Sequence, residues 1–190
     1  MDRIDAILEA SCVLFGERGF ENTKVSDIAK MAKVASGTVI YHFGKKEAIL
    51  FYLAWKFLNT LYRQTLVASE DASGGEEGMD ACIHTFFDIL AASPHQFRFL
   101  LRNIPDGVNL GPLSTEDLKA LHVSYIQLLR SAIARGQADG SFAPGAVGET
   151  AMIVYSILIG AARLVLYFDA DGDMLRAETL DFVRIRLMPR

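Results

Sequence analysis

IAKMAKVASGTVIYHFGKKEAIL, Ile28 to Leu50, decides how this chain is read. Two short pieces with helical apolar spacing meet at Lys33-Val34-Ala35. A glycine then stops the second piece, and a lysine pair follows. Two short helices joined by a three- or four-residue turn make a helix-turn-helix. In that motif the first helix sets the second in the major groove of DNA, where its leading side chains meet base edges. The residue types suit the task. Ala29 and Ala32 are small, so the helices can cross closely. Ser36, Gly37 and Thr38 keep the front of the second helix slim, while Tyr41 and His42 add reach and hydrogen-bonding tips. Lys45 and Lys46 open the next helix, where free backbone N–H groups already favour a phosphate. Lys46 is expected to hold one, with Lys24 and Lys45 in the same role. Val25 beside Lys24 completes the candidate DNA-binding set.

The charge distribution supports a local polyanion site. The chain of 190 residues has a net charge of -4, yet Lys24 to Lys46 holds five lysines and one aspartate. A small basic head on an acidic body fits that balance. An ordinary solvated helical hairpin has the same pattern, so spacing and composition alone leave both readings open.

Outward from this stretch the periodicity is helical throughout. A first helix carries Ile4, Ile7, Leu8, Leu14 and Phe15 and is expected to end near Gly19. Thr23 is placed to cap the second helix. A long fourth helix carries Ile49, Leu50, Leu53, Phe57 and Leu61, then gives way to an acidic, glycine-rich loop, SEDASGGEEGMD. Five more helical segments follow. They are centred on Met79–Leu90, on Pro94–Leu101, on Leu118–Ile133 with Ser114 and Thr115 as caps, on Ala146–Phe168, and on Met174–Leu187. IPDGVNLGP is a turn-rich connection. No period-2 run stands out. The expectation is an all-α protein of about nine helices, with a helix-turn-helix domain over 1–48 and a larger helical domain over 49–190.

Several classes are set aside. Cys12 and Cys82 lie far apart on apolar faces and read as reduced thiols of an intracellular, cytoplasmic protein. The N-terminus lacks the apolar run of a signal peptide. MIVYSILIGAARLVLYF, 152–168, falls short of the ~20 residues of a spanning helix and contains Arg163, so no membrane partner is expected. His84 and Asp88 share a helical face, but no third ligand accompanies them, and no metal site is assigned. No phosphate loop, Gly-x-Ser-x-Gly, Cys-x-x-Cys or dinucleotide motif is present, so no enzyme activity or cofactor is expected.

The stretch GFENTKVSDIAKMAKVASGTVIYHFGKKEAIL resembles the N-terminal signature of the TetR family of transcriptional regulators. Gly19-Phe20, Thr23, Asp27-Ile28-Ala29, Gly37-Thr38, His42-Phe43 and Lys46-Glu47 carry the likeness, over about 45 residues. Lys24 replaces a usual Ser or Thr. Ala35 replaces a capping Ser, leaving Ser36 to take over. Ile40 stands where Tyr is frequent, which removes a usual phosphate hydroxyl. Lys45 replaces Ser or Asn. The resemblance implies an operator-binding homodimer whose remaining helices bind a small effector and dimerise. Aromatic density in the body suits a mainly apolar ligand with one or two polar handles. Trp55, Phe87, Phe97, Tyr125 and Tyr155 are expected to border its cavity, though for any single one of them core packing is the commoner role. The helix over 146–168 is apolar nearly all round and needs cover. Ile157, Gly160, Ala161 and Leu164 are expected near a two-fold axis. The alternative is a helical small-molecule-binding or adaptor protein that does not read DNA.

Overall fold

The computed structural model describes residues 2–103 and 115–189, with the side chains of Asn103, Thr115 and Glu116 left aside. Among the described residues there are nine helices and no strand: α1 (Arg3–Arg18), α2 (Val25–Met31), α3 (Ser36–Phe43), α4 (Lys46–Glu70), α5 (Gly75–Ala92), α6 (Pro94–Asn103), α7 (Thr115–Asp139), α8 (Val147–Phe168) and α9 (Gly172–Leu187). The IPDGVNLGP connection and the Ser114 cap lie outside the described residues.

The chain forms two compact units. The first contains the residues up to Leu58 together with Ser93–Lys119, so it extends beyond the 1–48 segment singled out by the sequence. Its core is aromatic. Phe15 lies 5.4 Å from Phe20 and 6.2 Å from Phe99, ring centre to ring centre, and Phe57 meets Phe97 edge-on at 5.0 Å. Helix α6 packs along α1. Their backbones come close at Gly16, where a Cβ would sit 3.4 Å from the Phe99 nitrogen. Arg102 donates from Nη1 to the Glu17 carbonyl at 2.7 Å. That bond serves one of the carbonyls left open at the end of α1.

The second unit holds Asn59–Ala92 and Ala120–Arg190. Met79, Cys82, Ile83, Phe86, Leu129, Ile133, Ala151 and Leu158 are fully buried in it. Helix α5 packs on α8 and α9. Arg176 on α9 pairs with Asp88 on α5 at 2.9 Å, and Arg184 on α9 bonds Asp80 on α5. Asp88 therefore faces an arginine rather than His84. Arg184 serves an inter-helix pair as well as the end of its own helix. Asp171 caps α9, its Oδ1 accepting from the N–H groups of Asp173 and Met174 at 2.9 and 3.1 Å.

Four local expectations need correction. Thr23 does not cap α2; its hydroxyl donates back to the carbonyls of Gly19 at 2.8 Å and Leu14 at 3.4 Å. Lys24 is the N-cap, and the Asp27 carboxylate accepts its backbone N–H at 3.2 Å. A lysine side chain has no acceptor, so only this half of a capping box exists. Helix α3 starts without a side-chain cap, so Ser36 does not replace the missing serine. The acidic loop shrinks to Asp71–Gly74, because Gly75 and Gly78 belong to the start of α5. A Cβ on Gly75 would lie 1.9 Å from the Gly136 nitrogen, and one on Gly136 2.2 Å from the Phe142 ring. These glycines permit a close helix crossing. Finally, α8 runs 22 residues and is long and apolar enough by composition to cross a membrane, so length does not set that reading aside. It packs on α5 and α9, and a third of its most apolar stretch is buried within the protein.

Candidate nucleic-acid interface

Helix α2 ends in a compact reversal. The N–H of Val34 bonds the Ala29 carbonyl at 3.0 Å, and that of Lys33 the Lys30 carbonyl at 3.3 Å. This is the Schellman pattern, in which the residue after the cap turns left-handed. Here that residue is Lys33, at φ 57°. Glycine is usual there, because a Cβ costs about 1–2 kcal/mol in this region.

Helix α3 leaves this turn anchored by little. Val39 is its one fully buried residue, and the helix packs on α2, whose buried residues are Ile28 and Ala29. At ~100° per residue, Tyr41 falls on the side away from Val39. Its ring is 84% exposed and meets His42 edge-on at 5.2 Å. Gly37 shares that outer face, and a Cβ there would touch nothing within 4 Å. Neither its backbone angle nor internal packing requires glycine at that position. Ser36, Ile40 and His42 are also exposed, and Thr38 is half-buried on the flank. Exposed Lys24, Lys30, Lys33 and Lys45 lie on the helices and turns around this face. Val25 is half-buried at the start of α2. The arrangement offers a slim apolar-and-hydroxyl ridge with lysines around it, able to enter a groove and meet phosphates.

Lys46 differs from its neighbours. Its ammonium donates to the carbonyls of Phe20 at 2.7 Å and Thr23 at 2.9 Å, and it lies 4.1 Å from the centre of the Phe20 ring. An ammonium has three N–H donors, so two are taken. The sequence expectation of a phosphate ligand is therefore revised: the structure gives Lys46 an internal role, tying the first turn of α4 to the loop between α1 and α2. Phe20 is 6% exposed and Thr23 1%, so these carbonyls belong to buried residues. Sequence reasoning missed this clamp. The signal available was Phe20, an aromatic face suited to a cation.

The residues expected to border a ligand cavity are distributed over both units. Phe97 fills the core of the first unit against Phe57, and Trp55 in the same unit is 42% exposed. Phe87, Tyr125 and Tyr155 belong to the second unit. There Tyr125 and Tyr155 are neighbours, their ring centres 5.7 Å apart, and the Tyr155 hydroxyl hydrogen-bonds His122 Nδ1. Burial holds the Tyr155 phenol up at about 12 and pushes His122 below the usual histidine value. Phe87 contacts Phe86 and lies under the Arg176 guanidinium, 5.8 Å from ring centre. Of the four residues expected at a two-fold axis, Leu164 is 44% exposed, while Ile157 and Gly160 are half-buried. Ala161 is buried within its own unit. The outer stripe of α8 instead takes in Ile153 and Phe168, and α9 exposes Phe182 and Ile185. Cys12 and Cys82 are free, and burial raises both thiols to about 11.

Two short helices crossing at a tight reversal, the second turning its outer face to solvent, define a helix-turn-helix on an all-helical protein. Residues 7–53 match the family model for bacterial regulatory proteins of the tetR family. The HTH-type transcriptional repressor KstR2 of Rhodococcus jostii is 27% identical over 139 residues, which is 72% of this chain and 66% of that protein, just under two thirds. Among solved structures, the ketosteroid transcriptional regulator KstR2 of Mycobacterium tuberculosis superposes with a TM-score of 0.85 at 18% identity, covering 100% of this chain and 96% of that one. The regulator FadR of Bacillus subtilis, solved in complex with stearoyl-CoA, gives 0.82 at 20% identity, covering 95% and 97%. At these identities the structural likeness speaks to the fold.

Proposed function

We propose that this protein is a ligand-responsive DNA-binding transcriptional regulator, a homodimer that represses transcription until a small, mainly apolar molecule releases it from its operator. The outer face of α3 carries the reading. Gly37 and Tyr41 are exposed for no reason internal to the fold, and an exposed aromatic beside a free glycine suits close approach to a base edge. Thr38 stands beside them as a second reader, and Lys24 and Lys45 supply phosphate contacts. The apolar stripe of α8 and α9, with Ile153 58% and Ile185 79% exposed, supports a second copy as its cover. Two reading helices on a two-fold dimer would meet half-sites about one helical turn apart, roughly 34 Å. Release requires the effector to favour a conformation with weaker DNA affinity.

Selection of bound fragments from genomic DNA, followed by titration at several salt concentrations, tests the reading. Tyr41→Ala is expected to leave the salt slope nearly intact and to relax preference at one or two operator positions. Retention of no fragment, or a Tyr41→Ala effect on the salt slope alone, would favour the adaptor reading or rotate α3 in the groove.

A further inference from the structure

Helix α3 carries a gap in its outer face. Gly37 has no side chain, and a Cβ there would meet nothing within 4 Å. Its neighbours one turn on are the residues three and four places ahead, Ile40 and Tyr41. Both are exposed, Ile40 at 46% and Tyr41 at 84%. The three residues make a notch, with the Gly37 backbone as its floor, an aliphatic wall on one side and an aromatic ring on the other. Ile40 stands ~100° round the helix from buried Val39, so one side of it is covered and the other is open. Its branched Cβ leaves it few rotamers, which makes that wall stiff.

What the notch can take is narrow. Exposed Lys24, Lys30, Lys33 and Lys45 surround it, and Lys24 to Lys46 holds five lysines against one aspartate. The complementary surface is therefore a polyanion rather than an apolar protein face. Within the major groove of duplex DNA, base edges offer acceptors, amino donors and a single kind of apolar group, the C5-methyl of thymine. A donor or acceptor pressed against Ile40 would lose water and gain no partner. A methyl loses nothing polar and gains cover. We infer that the notch formed by Gly37, Ile40 and Tyr41 seats the C5-methyl of thymine, so that Ile40 is a specificity-determining residue and each operator half-site carries a thymine at one fixed position. This rests on the DNA-binding reading and adds the identity of a base to it.

The test uses the full chain and short duplexes that it selects from a random-sequence pool. Each thymine in them is replaced in turn by deoxyuridine, which keeps every hydrogen-bonding group and loses only the methyl. One thymine in each half-site should respond, with affinity falling about 4-fold for the methyl removed. With Ile40→Ala, thymine and deoxyuridine at that position should bind nearly alike, whereas Ile40→Val keeps a branched wall and should keep most of the difference. Gly37→Ala should fold normally, since the added carbon meets open space, and should fill the notch with a methyl of its own. Deoxyuridine should then bind more tightly than thymine. The salt slope should be the same in all three variants, because no phosphate contact changes. If no thymine responds to loss of its methyl, if Ile40→Ala keeps the full preference, or if Gly37→Ala still prefers thymine, the notch does not read a methyl. A selection that enriches no sequence removes the regulator reading and the inference with it; enrichment without thymine dependence removes the inference alone.

Discussion

Replacing Lys46 with methionine keeps most of the aliphatic stem and removes the ammonium, so it isolates the clamp between α4 and the loop between α1 and α2. Two hydrogen bonds from a charged donor are lost, at 2.7 and 2.9 Å, with the contact to Phe20 at 4.1 Å. Bonds of this kind contribute ~1.5 kcal/mol each at the low end of their range, and the ring contact about 0.5. The site is half-buried, so water recovers part of that sum, and roughly 2 kcal/mol remains. A loss of that size lowers the melting temperature of a protein this long by about 4–8 °C. DNA affinity should fall too, because α3 is held to the domain through few buried residues and depends on its neighbours for position. The salt slope should not change, since no phosphate contact disappears. Lys45→Ala is the contrast: stability unaltered, slope smaller by about 1. Circular dichroism melts and fluorescence anisotropy at four salt concentrations read both quantities. If Lys46→Met melts like the unaltered protein and reduces the slope by about 1, Lys46 is a phosphate ligand and the clamp has no energetic weight.

Three further outcomes are expected. Lys33→Gly relieves a Cβ at φ 57° and should stabilise the protein by about 1 kcal/mol, seen as a higher urea midpoint. Gly160→Glu meets open space in a single copy, so the fold should survive; sedimentation at low concentration should show a dimer for the unaltered protein and a monomer for the variant, and a variant that stays dimeric would move the proposed interface off α8. Asp139 accepts from the Ser141 hydroxyl, the Gly75 N–H and the Ser141 N–H, which hold its carboxyl below the ordinary 3.8. Its contribution is present above pH ~4 and lost as pH falls through the depressed value, so Asp139→Asn should flatten the acid limb of a stability profile.

The helix-turn-helix was legible because its constraints are local. Ala29 and Gly37 can be read from spacing alone, since size at those positions decides what can approach. The destination of a long side chain cannot. Lys46 could reach outward to a phosphate or inward to a carbonyl, and only the placement of Phe20 and Thr23 decides between them. Gly75 and Gly78 misled for the opposite reason. In sequence, glycines among acids mark a loop, whereas here they face Gly136 and Arg135, partners about sixty residues away that periodicity does not reveal. Thr23 showed the same ambiguity on a smaller scale, since a threonine beside a helix start can bond forward as a cap or backward to α1. In the body, aromatic density pointed to a cavity but could not say which rings shared a unit. Tyr125 and Tyr155 do, and Phe97 serves a different core.

The meeting of Gly75 with Gly136 also bears on how this protein can vary over time. Every amino acid other than glycine adds a carbon, and at Gly75 that carbon would fall 1.9 Å from a backbone nitrogen. A core leucine has near relatives, such as methionine or isoleucine, through which a lineage can drift in small increments. Gly75 has none. The smallest heritable step, to alanine, is already a collision with main chain that no rotamer change relieves. Drift around this crossing must therefore proceed by moving a whole helix, or it must be confined to the residues on either side.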